Sequence, residues 1–136
     1  MMLTTRGRYA VMAMADMALH HKKNQKPLKL QEISTRQNIA LSYLEQIFSL
    51  LKSANLVGAI KGPGGGYFLN KEPDKISVAD IIMAVDEPIK MTRCEIEKLD
   101  GCGHKKGKCL THNLWNGLSN EIGKYFASKN LDDLVQ

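Results

Sequence analysis

Apolar residues dominate the first twenty positions of the chain and recur around most of the circumference of a helix. Thr4 or Thr5 can cap this helix at its start, and the apolar pattern continues to about His20. Several of these residues are alanines, which allow neighbouring elements to approach closely. The pattern predicts a first helix that lies at the centre of a hydrophobic core.

Two shorter segments follow a polar link. Residues 28–37 predict a second helix, residues 38–40 a turn, and a third helix begins at Ser42, which forms a capping box with Glu45. Apolar side chains at helical spacing predict the buried face of this third helix: Leu44, Ile47, Phe48 and Leu51. The polar residues left outside are Tyr43, Glu45, Gln46, Ser49 and Lys52. Two helices joined by so short a turn are typical of a helix-turn-helix that binds DNA.

The next segment predicts a β-hairpin. Two short apolar stretches, residues 56–60 and 67–70, flank Lys61-Gly-Pro-Gly-Gly-Gly66. Glycine removes side-chain bulk, so the tip of this wing can come close to DNA. The glycine spacing does not match a nucleotide-binding motif. Ser77, with Asp80 three residues later, then predicts a capped fourth helix that ends at residues 86–88.

A long amphipathic helix is predicted beyond His112, from residue 113 to about Ser128. Its apolar stripe consists of Leu114, Trp115, Leu118, Ile122, Tyr125 and Phe126. This helix should be roughly 25 Å long, which exceeds what a small winged-helix core needs to cover. The stripe therefore predicts a dimerisation helix, and packing against the first helix is the alternative. Residues 130–136 predict a further capped turn of helix.

The pattern as a whole predicts a mainly α-helical fold. It comprises a winged helix-turn-helix DNA-binding domain (residues 1–88), a ligand-binding loop (89–112) and a dimerisation helix with a tail (113–136). The 136 residues, of which 43% are hydrophobic, suffice for one substantial core but not for two large ones.

The net charge of +5 is unevenly distributed. Residues 1–72 carry ten Lys or Arg against four Asp or Glu, whereas residues 73–136 carry nine against ten. A basic half of this kind favours a polyanionic partner. Arg6 and Arg8 lie in the first turn of the first helix, where the helix dipole also favours a DNA phosphate. The alternative is that these two arginines are only solvated.

The longest apolar run, residues 10–19, is too short to span a membrane and is interrupted by Asp16. No charged and then apolar signal peptide opens the chain, and the cysteine count is odd. We therefore expect a soluble, cytoplasmic protein with reduced cysteines.

All three cysteines lie in one segment that is rich in glycine and charge. Cys94, Cys102 and Cys109 are followed by His112, and together they supply four ligands, which is one coordination shell for a metal centre. A disulfide with a spare thiol fits three cysteines poorly. Zinc sites usually contain at least one close Cys-x2-Cys or His-x3-His pair, and the only close spacing here is Cys109-x2-His112. An iron-sulfur cluster tolerates wider gaps. The spacing by itself leaves zinc and a cluster open.

The residues also resemble a known family. The stretches that carry the resemblance are Leu3-Thr4, Gly7-Arg-Tyr-Ala10, Leu41-Ser-Tyr-Leu-Glu-Gln46, Gly62-Pro-Gly-Gly-Gly-Tyr67, Val85-Asp-Glu87, Thr92-Arg-Cys94 and Cys109-Leu-Thr-His112-x2-Trp115. Together they span nearly the whole chain and resemble the Rrf2 family of bacterial regulators, in particular its regulators of iron-sulfur cluster assembly.

This resemblance implies a homodimeric winged-helix transcription factor that binds double-stranded DNA with two-fold related half-sites and controls cluster-assembly genes. It implies a 2Fe-2S cluster held by Cys94, Cys102, Cys109 and His112, with the cluster assembly machinery as its donor. Ser42, Tyr43, Gln46 and the wing residues Lys61 and Gly62 match the DNA-contacting motifs of the family. Glu45 and the arginines at positions 6 and 8 complete the candidate DNA-binding set.

Two departures from the family pattern matter. Both gaps between the cysteines are slightly longer than usual, so His104 competes as a ligand. The nitric-oxide-sensing branch completes a 4Fe-4S cluster with an acidic residue where this chain has Arg8. That branch remains an alternative, as does a zinc-stabilised DNA-binding module without sensing.

An enzyme is not expected, because His20 and His21 have no carboxylate or nucleophile near them in sequence. An electron-transfer protein would not need the helix-turn-helix and the wing.

Overall fold

The computed structural model describes residues 5–85 and 110–136. In chain order its elements are α1 (Thr5–Lys23), α2 (Leu30–Gln37), α3 (Leu41–Ser53), β1 (Val57–Ile60), β2 (Gly66–Leu69), a 3-10 turn (Pro73–Lys75), α4 (Val78–Ala84), α5 (His112–Ser128) and α6 (Leu131–Leu134). The mainly helical fold class with a two-stranded wing is confirmed.

The first helix lies at the centre of the core, as predicted, and continues to Lys23. Its buried apolar residues are Ala10, Ala13, Met14, Met17 and Ala18. They pack with the inner residues of α2 and α3, among them Ile33 and Leu44, neither of which has any exposed surface. The predicted buried face of α3 is therefore confirmed.

The second helix starts two residues later than predicted, and the reason lies in the wing. Leu28 is extended and pairs with Tyr67 of β2 through two backbone hydrogen bonds of 2.8 Å each. A residue paired in this way cannot also begin a helix. The chain before α2 thus adds a short extended segment alongside β2 of the wing.

The predicted hairpin is confirmed. β1 and β2 are antiparallel, with Val57 opposite Leu69 and Ile60 opposite Gly66. On one face of the hairpin, Tyr67 packs edge-on against Phe48 of α3, with ring centroids 5.1 Å apart. This contact fixes the wing to the helix-turn-helix.

The capping signals for the last helices are also confirmed. Ser77 accepts a hydrogen bond from the Asp80 amide at the start of α4, and Asn130 accepts one from the Asp133 amide at the start of α6. α4 ends at Ala84, before the predicted stop at residues 86–88, which lie outside the described residues. α5 packs against α4, ends at Ser128 as predicted and begins at His112, one residue earlier than predicted.

Within residues 5–85 and 110–136, none of the helices combines the length and the apolar character that a bilayer span requires.

Candidate nucleic-acid interface and ligand segment

The third helix presents the predicted polar face, but its cap is not the predicted one. The helix begins at Leu41, and its first turn is closed by the Ala40 carbonyl, which accepts from the Tyr43 and Leu44 amides at 3.1 Å. Ser42 is therefore the second residue of the helix, and the predicted capping box with Glu45 is wrong. Ile39, which precedes Ala40 in the turn, is only 3% exposed.

Because α3 has no capping box, Glu45 is not needed to cap the helix. No side chain caps α3, and Ser42, Glu45 and Gln46 are all exposed along the same helix. A carboxylate there has no structural task at the helix terminus. It remains free to meet the edge of a base.

Tyr43 is not fully outward, contrary to expectation. It is half-buried and packs against the core, and its ring meets that of Tyr9 edge-on at a centroid distance of 5.9 Å. Tyr9 comes from the first part of α1, next to Arg8. The pair therefore couples the start of α1 to the start of α3.

The end of α2 is held by a buried carboxylate that sequence reasoning missed as a functional group. Asp16 of α1 is 8% exposed and accepts from Arg36 at 2.6 and 3.0 Å and from Gln37 at 2.9 Å. Burial alone raises the pKa of Asp16, but the hydrogen bonds from Arg36 and Gln37 outweigh it and hold the pKa below its ordinary value. The available signal was an isolated acid inside an apolar helix, which requires a cationic partner.

The turn that follows α2 is fixed by its own hydrogen bonds. Asn38 adopts a left-handed conformation with φ of 54°, and the Ile39 amide donates to the Ser34 carbonyl at 3.2 Å. The Ser34 hydroxyl donates in turn to the Ile39 carbonyl at 2.6 Å. With Asp16 on one side and these bonds on the other, the direction in which α3 leaves the turn is fixed.

The wing places its basic tip in solvent. Lys61 and Gly62 are both exposed, as a phosphate or groove contact requires. Where β2 begins, directly after the tip, Gly66 has φ of +146°, and a Cβ there would lie 2.7 Å from the Leu28 carbonyl oxygen. Only glycine fits this position without moving the wing.

The two arginines of α1 differ in exposure. Arg6 is half-buried, with its Nε atom inaccessible to solvent, whereas Arg8 is exposed. Arg8 is therefore the better placed of the two for a phosphate.

The predicted ligand segment is described only at its end. Cys94, Cys102, Cys109 and the competing His104 lie outside the described residues. His112 is the first residue of α5 and is 7% exposed. Among residues 5–85 and 110–136, no group of three or more His, Cys, Asp or Glu could hold a metal ion. A metal centre that uses His112 must therefore draw on residues outside the described part of the chain, where the three predicted cysteine ligands lie.

The predicted stripe of α5 is largely solvent-accessible in the single chain. Leu114 is 60% exposed, Leu118 37% and Tyr125 61%. Large apolar side chains in a row on one helix are typical of an interaction surface.

Comparison with known proteins now bears on this arrangement. Residues 3–136 match the family model Rrf2, described as an iron-dependent transcriptional regulator. The chain belongs to the Rrf2 family of transcriptional regulators. It is 49% identical over 135 residues to the HTH-type transcriptional regulator IscR of Photorhabdus laumondii, a match that covers 99% of this chain and 79% of that protein. It is 48% identical to IscR of Xenorhabdus nematophila, covering 100% of this chain and 80% of that protein.

Solved structures of Rrf2 proteins agree with the fold. CymR, the global cysteine regulator of B. subtilis, superposes with a TM-score of 0.80 at 30% identity, covering 99% of this chain and 96% of that chain. IscR of T. potens superposes with a TM-score of 0.77 at 30% identity, covering 99% and 86%. The resemblance to the family and the winged-helix fold are thereby confirmed. Membership in a family of transcriptional regulators also confirms that the chain is not an enzyme.

Proposed function

We propose that this Rrf2 protein is a cytoplasmic homodimer that senses iron-sulfur cluster status and controls the genes of cluster assembly. Cys94, Cys102, Cys109 and His112 would hold a 2Fe-2S cluster received from the assembly machinery. When bound, the cluster supplies a centre that responds to iron, sulfide and oxidation. The similarity to IscR proteins supports this assignment over the other branches of the family.

The observation that carries the proposal is the place of His112. Its imidazole is buried at the first position of α5, and the same helix carries the exposed apolar stripe. A ligand set that includes His112 is attached directly to the N-terminal end of α5. Occupancy of the set can therefore bear on the packing of α5, and through α4 on the DNA-binding unit.

The DNA contacts we propose follow the exposed polar groups. Ser42, Tyr43, Glu45 and Gln46 of α3 would enter the major groove, because a recognition helix contacts base edges with the residues near its N-terminus. Lys61 and Gly62 of the wing, and Arg6 and Arg8 of α1, would contact the flanking backbone, since arginine, lysine and exposed amides bind phosphates.

Glu45 is assigned to sequence discrimination. Phosphates repel a carboxylate, whose favourable partners in the major groove are chiefly cytosine amino groups. Since Glu45 does not cap α3, its replacement by alanine should cost little stability. The same replacement should strengthen binding to operators that the protein without cluster rejects, because it removes a repulsive contact.

A two-fold dimer follows from the apolar stripe of α5. One recognition helix per subunit must meet equivalent half-sites about one helical turn apart, or a multiple of it. Leu118→Glu combined with Ile122→Glu should yield monomers in sedimentation analysis. Monomers that bind a palindromic duplex as tightly as the wild type would remove α5 from the interface.

The cofactor is tested by anaerobic purification followed by absorption spectroscopy and by iron and sulfide analysis. We expect red-brown protein with about two irons and two sulfides per chain. Colourless protein with stoichiometric zinc would contradict cluster sensing and indicate a structural zinc site. About four irons per chain would indicate the cluster type of the nitric-oxide-sensing branch.

His112→Ala and His104→Ala form a matched pair for the ligand assignment. Loss of the 2Fe-2S spectrum in the first variant and its retention in the second are expected. The reverse result would transfer the ligand role to His104.

A further inference from the structure

The chain that follows α5 returns to the DNA-binding unit and pairs with it. The Val78 amide donates to the Lys129 carbonyl at 2.8 Å, and the Leu131 amide donates to the Ile76 carbonyl at 3.0 Å. Ser77 and Asn130 face each other in an antiparallel bridge between these two bonds. The end of α5 is thereby joined by a short backbone ladder to the start of α4.

The same segment contributes a side chain to the core. Leu131 has no exposed surface and belongs to the cluster formed by α1, α2 and α3. Residues 129–132, here called the C-terminal anchor, therefore lie on the DNA-binding unit although they follow the proposed dimerisation helix. Sequence reasoning had placed this segment with the dimerisation helix alone.

An ion pair adds a third connection. Lys22, near the end of α1, lies 3.0 Å from the Asp132 carboxylate, and both side chains are partly exposed. The hydrogen bond from Lys22 lowers the pKa of Asp132 below its ordinary value. The anchor is thus tied to the helix that carries Asp16, the residue that positions the end of α2.

We propose that the C-terminal anchor fixes α5 relative to the recognition helix and so sets which half-site spacing the dimer accepts. This inference rests on the proposed function of α5 as the dimerisation helix. In a two-fold dimer, the separation of the two recognition helices depends on how rigidly each DNA-binding unit is held to the shared interface. The anchor supplies that attachment at the C-terminal end of α5.

Spacing is a sensitive readout of such an attachment. One inserted base pair rotates a half-site by roughly 35° and moves it by about 3.4 Å along the duplex. If each recognition helix is held rigidly to the dimer interface, the two helices cannot both meet their half-sites after this rotation and shift, and DNA contacts are lost. If the attachment is loose, the recognition helices can adjust to the altered spacing, and affinity for the preferred spacing falls.

The test begins with the full-length dimer and a palindromic duplex selected from random sequences by wild-type protein. Duplexes with one or two base pairs added to or removed from the centre, and a duplex with a single half-site, complete the set. Leu131→Ala is compared with Leu134→Ala, because residue 134 lies in the same short helix but is 44% exposed. Circular dichroism and sedimentation show which variants remain folded and dimeric.

For Leu131→Ala we expect the affinity ratio between the preferred and altered spacings to fall by about tenfold, a typical size for coupling between two parts of a protein. Affinity for the single half-site should stay within about twofold of the wild type. Leu134→Ala should leave both quantities unchanged.

Because removing a buried leucine can unfold a small domain, the ion pair provides a second route. Asp132→Lys places two cations together at the surface and leaves no cavity. It should relax the spacing preference in the same direction, and adding Lys22→Glu should restore it. Rescue by the exchanged pair assigns the effect to the contact between these two side chains and not to either substitution alone.

An unchanged spacing ratio in folded, dimeric Leu131→Ala and Asp132→Lys proteins would overturn the inference and leave the anchor as a purely structural closure of the core. A wild-type protein that is monomeric, or that selects no palindrome, would instead overturn the proposed function.

Discussion

Removal of the Arg36 guanidinium is expected to destabilise the fold strongly, because it isolates a buried charge. Of the four donor contacts to the Asp16 carboxylate, three come from Arg36 and one from Gln37. The Asp16 side chain is only 6% exposed, so Arg36→Ala leaves a carboxylate with one donor and little access to water.

The size of the effect follows from this asymmetry. Loss of one partner of a buried ion pair costs about 3–5 kcal/mol. The Arg36 side chain is itself 45% exposed, and water can partly replace it at the edge of the site. We therefore expect Arg36→Ala to lower the free energy of unfolding by about 3 kcal/mol, at the lower end of that range.

A double-mutant cycle measured by urea unfolding, followed by circular dichroism at neutral pH, isolates the interaction. In an Asp16→Asn background the charge is already absent, and the further change Arg36→Ala should cost less than about 1 kcal/mol. A loss below about 1 kcal/mol in the wild-type background, or equal losses in both, would show that the pair does not hold α1 to α2.

Three further expectations follow. Folding lowers the pKa of Asp16 below its ordinary value of 3.8, so its stabilisation is complete above that value and is lost as the pH falls below it; acid unfolding should show a shallower dependence below about pH 4 in Asp16→Asn than in the wild type. Arg8→Ala and Lys61→Ala should each reduce the salt dependence of DNA binding by about one unit of slope while sequence preference persists, as titrations across potassium chloride concentrations would show. Gly66→Ala should lower the free energy of unfolding by about 1–3 kcal/mol and weaken DNA binding, because its Cβ meets the Leu28 backbone; an unchanged melting temperature would contradict the strain assigned to this position of the wing.

Periodicity was sufficient to predict those elements whose burial follows a single repeat. The inner face of α3 and the end of α5 agree with the structure, since apolar spacing and helix termination are local properties. The capping boxes at Ser77 and Asn130 were equally local and are present.

The errors came from contacts between distant parts of the chain. Leu28 was assigned to a helix, but pairing with Tyr67 across the wing holds it extended. Ser42 was assigned as a cap, but α3 begins one residue earlier and the Ala40 carbonyl closes its first turn. Neither the propensity of Leu28 nor its neighbours in sequence report a partner that lies 39 residues away.

In the candidate site, too, features set by local sequence could be predicted and contacts between distant residues could not. Apart from the half-buried Tyr43, the exposed set on α3 and the wing could be predicted, because polar residues outside an apolar repeat face solvent. The hydrogen bonds from Arg36 and Gln37 to Asp16 could not be predicted, because they join two helices through side chains about twenty residues apart in sequence. The three cysteine ligands remain a prediction that depends on the family resemblance and on donor chemistry.

The central claim is that occupancy of the ligand set containing His112 changes which DNA the protein binds. The most direct measurement is the affinity of anaerobic, cluster-loaded protein and of the same protein after iron removal, for operators selected separately by each form at one fixed salt concentration. We expect at least one operator class that the loaded form binds about tenfold or more tightly than the form without iron, a typical strength of coupling between two sites. Equal affinities of both forms for every selected operator would contradict it.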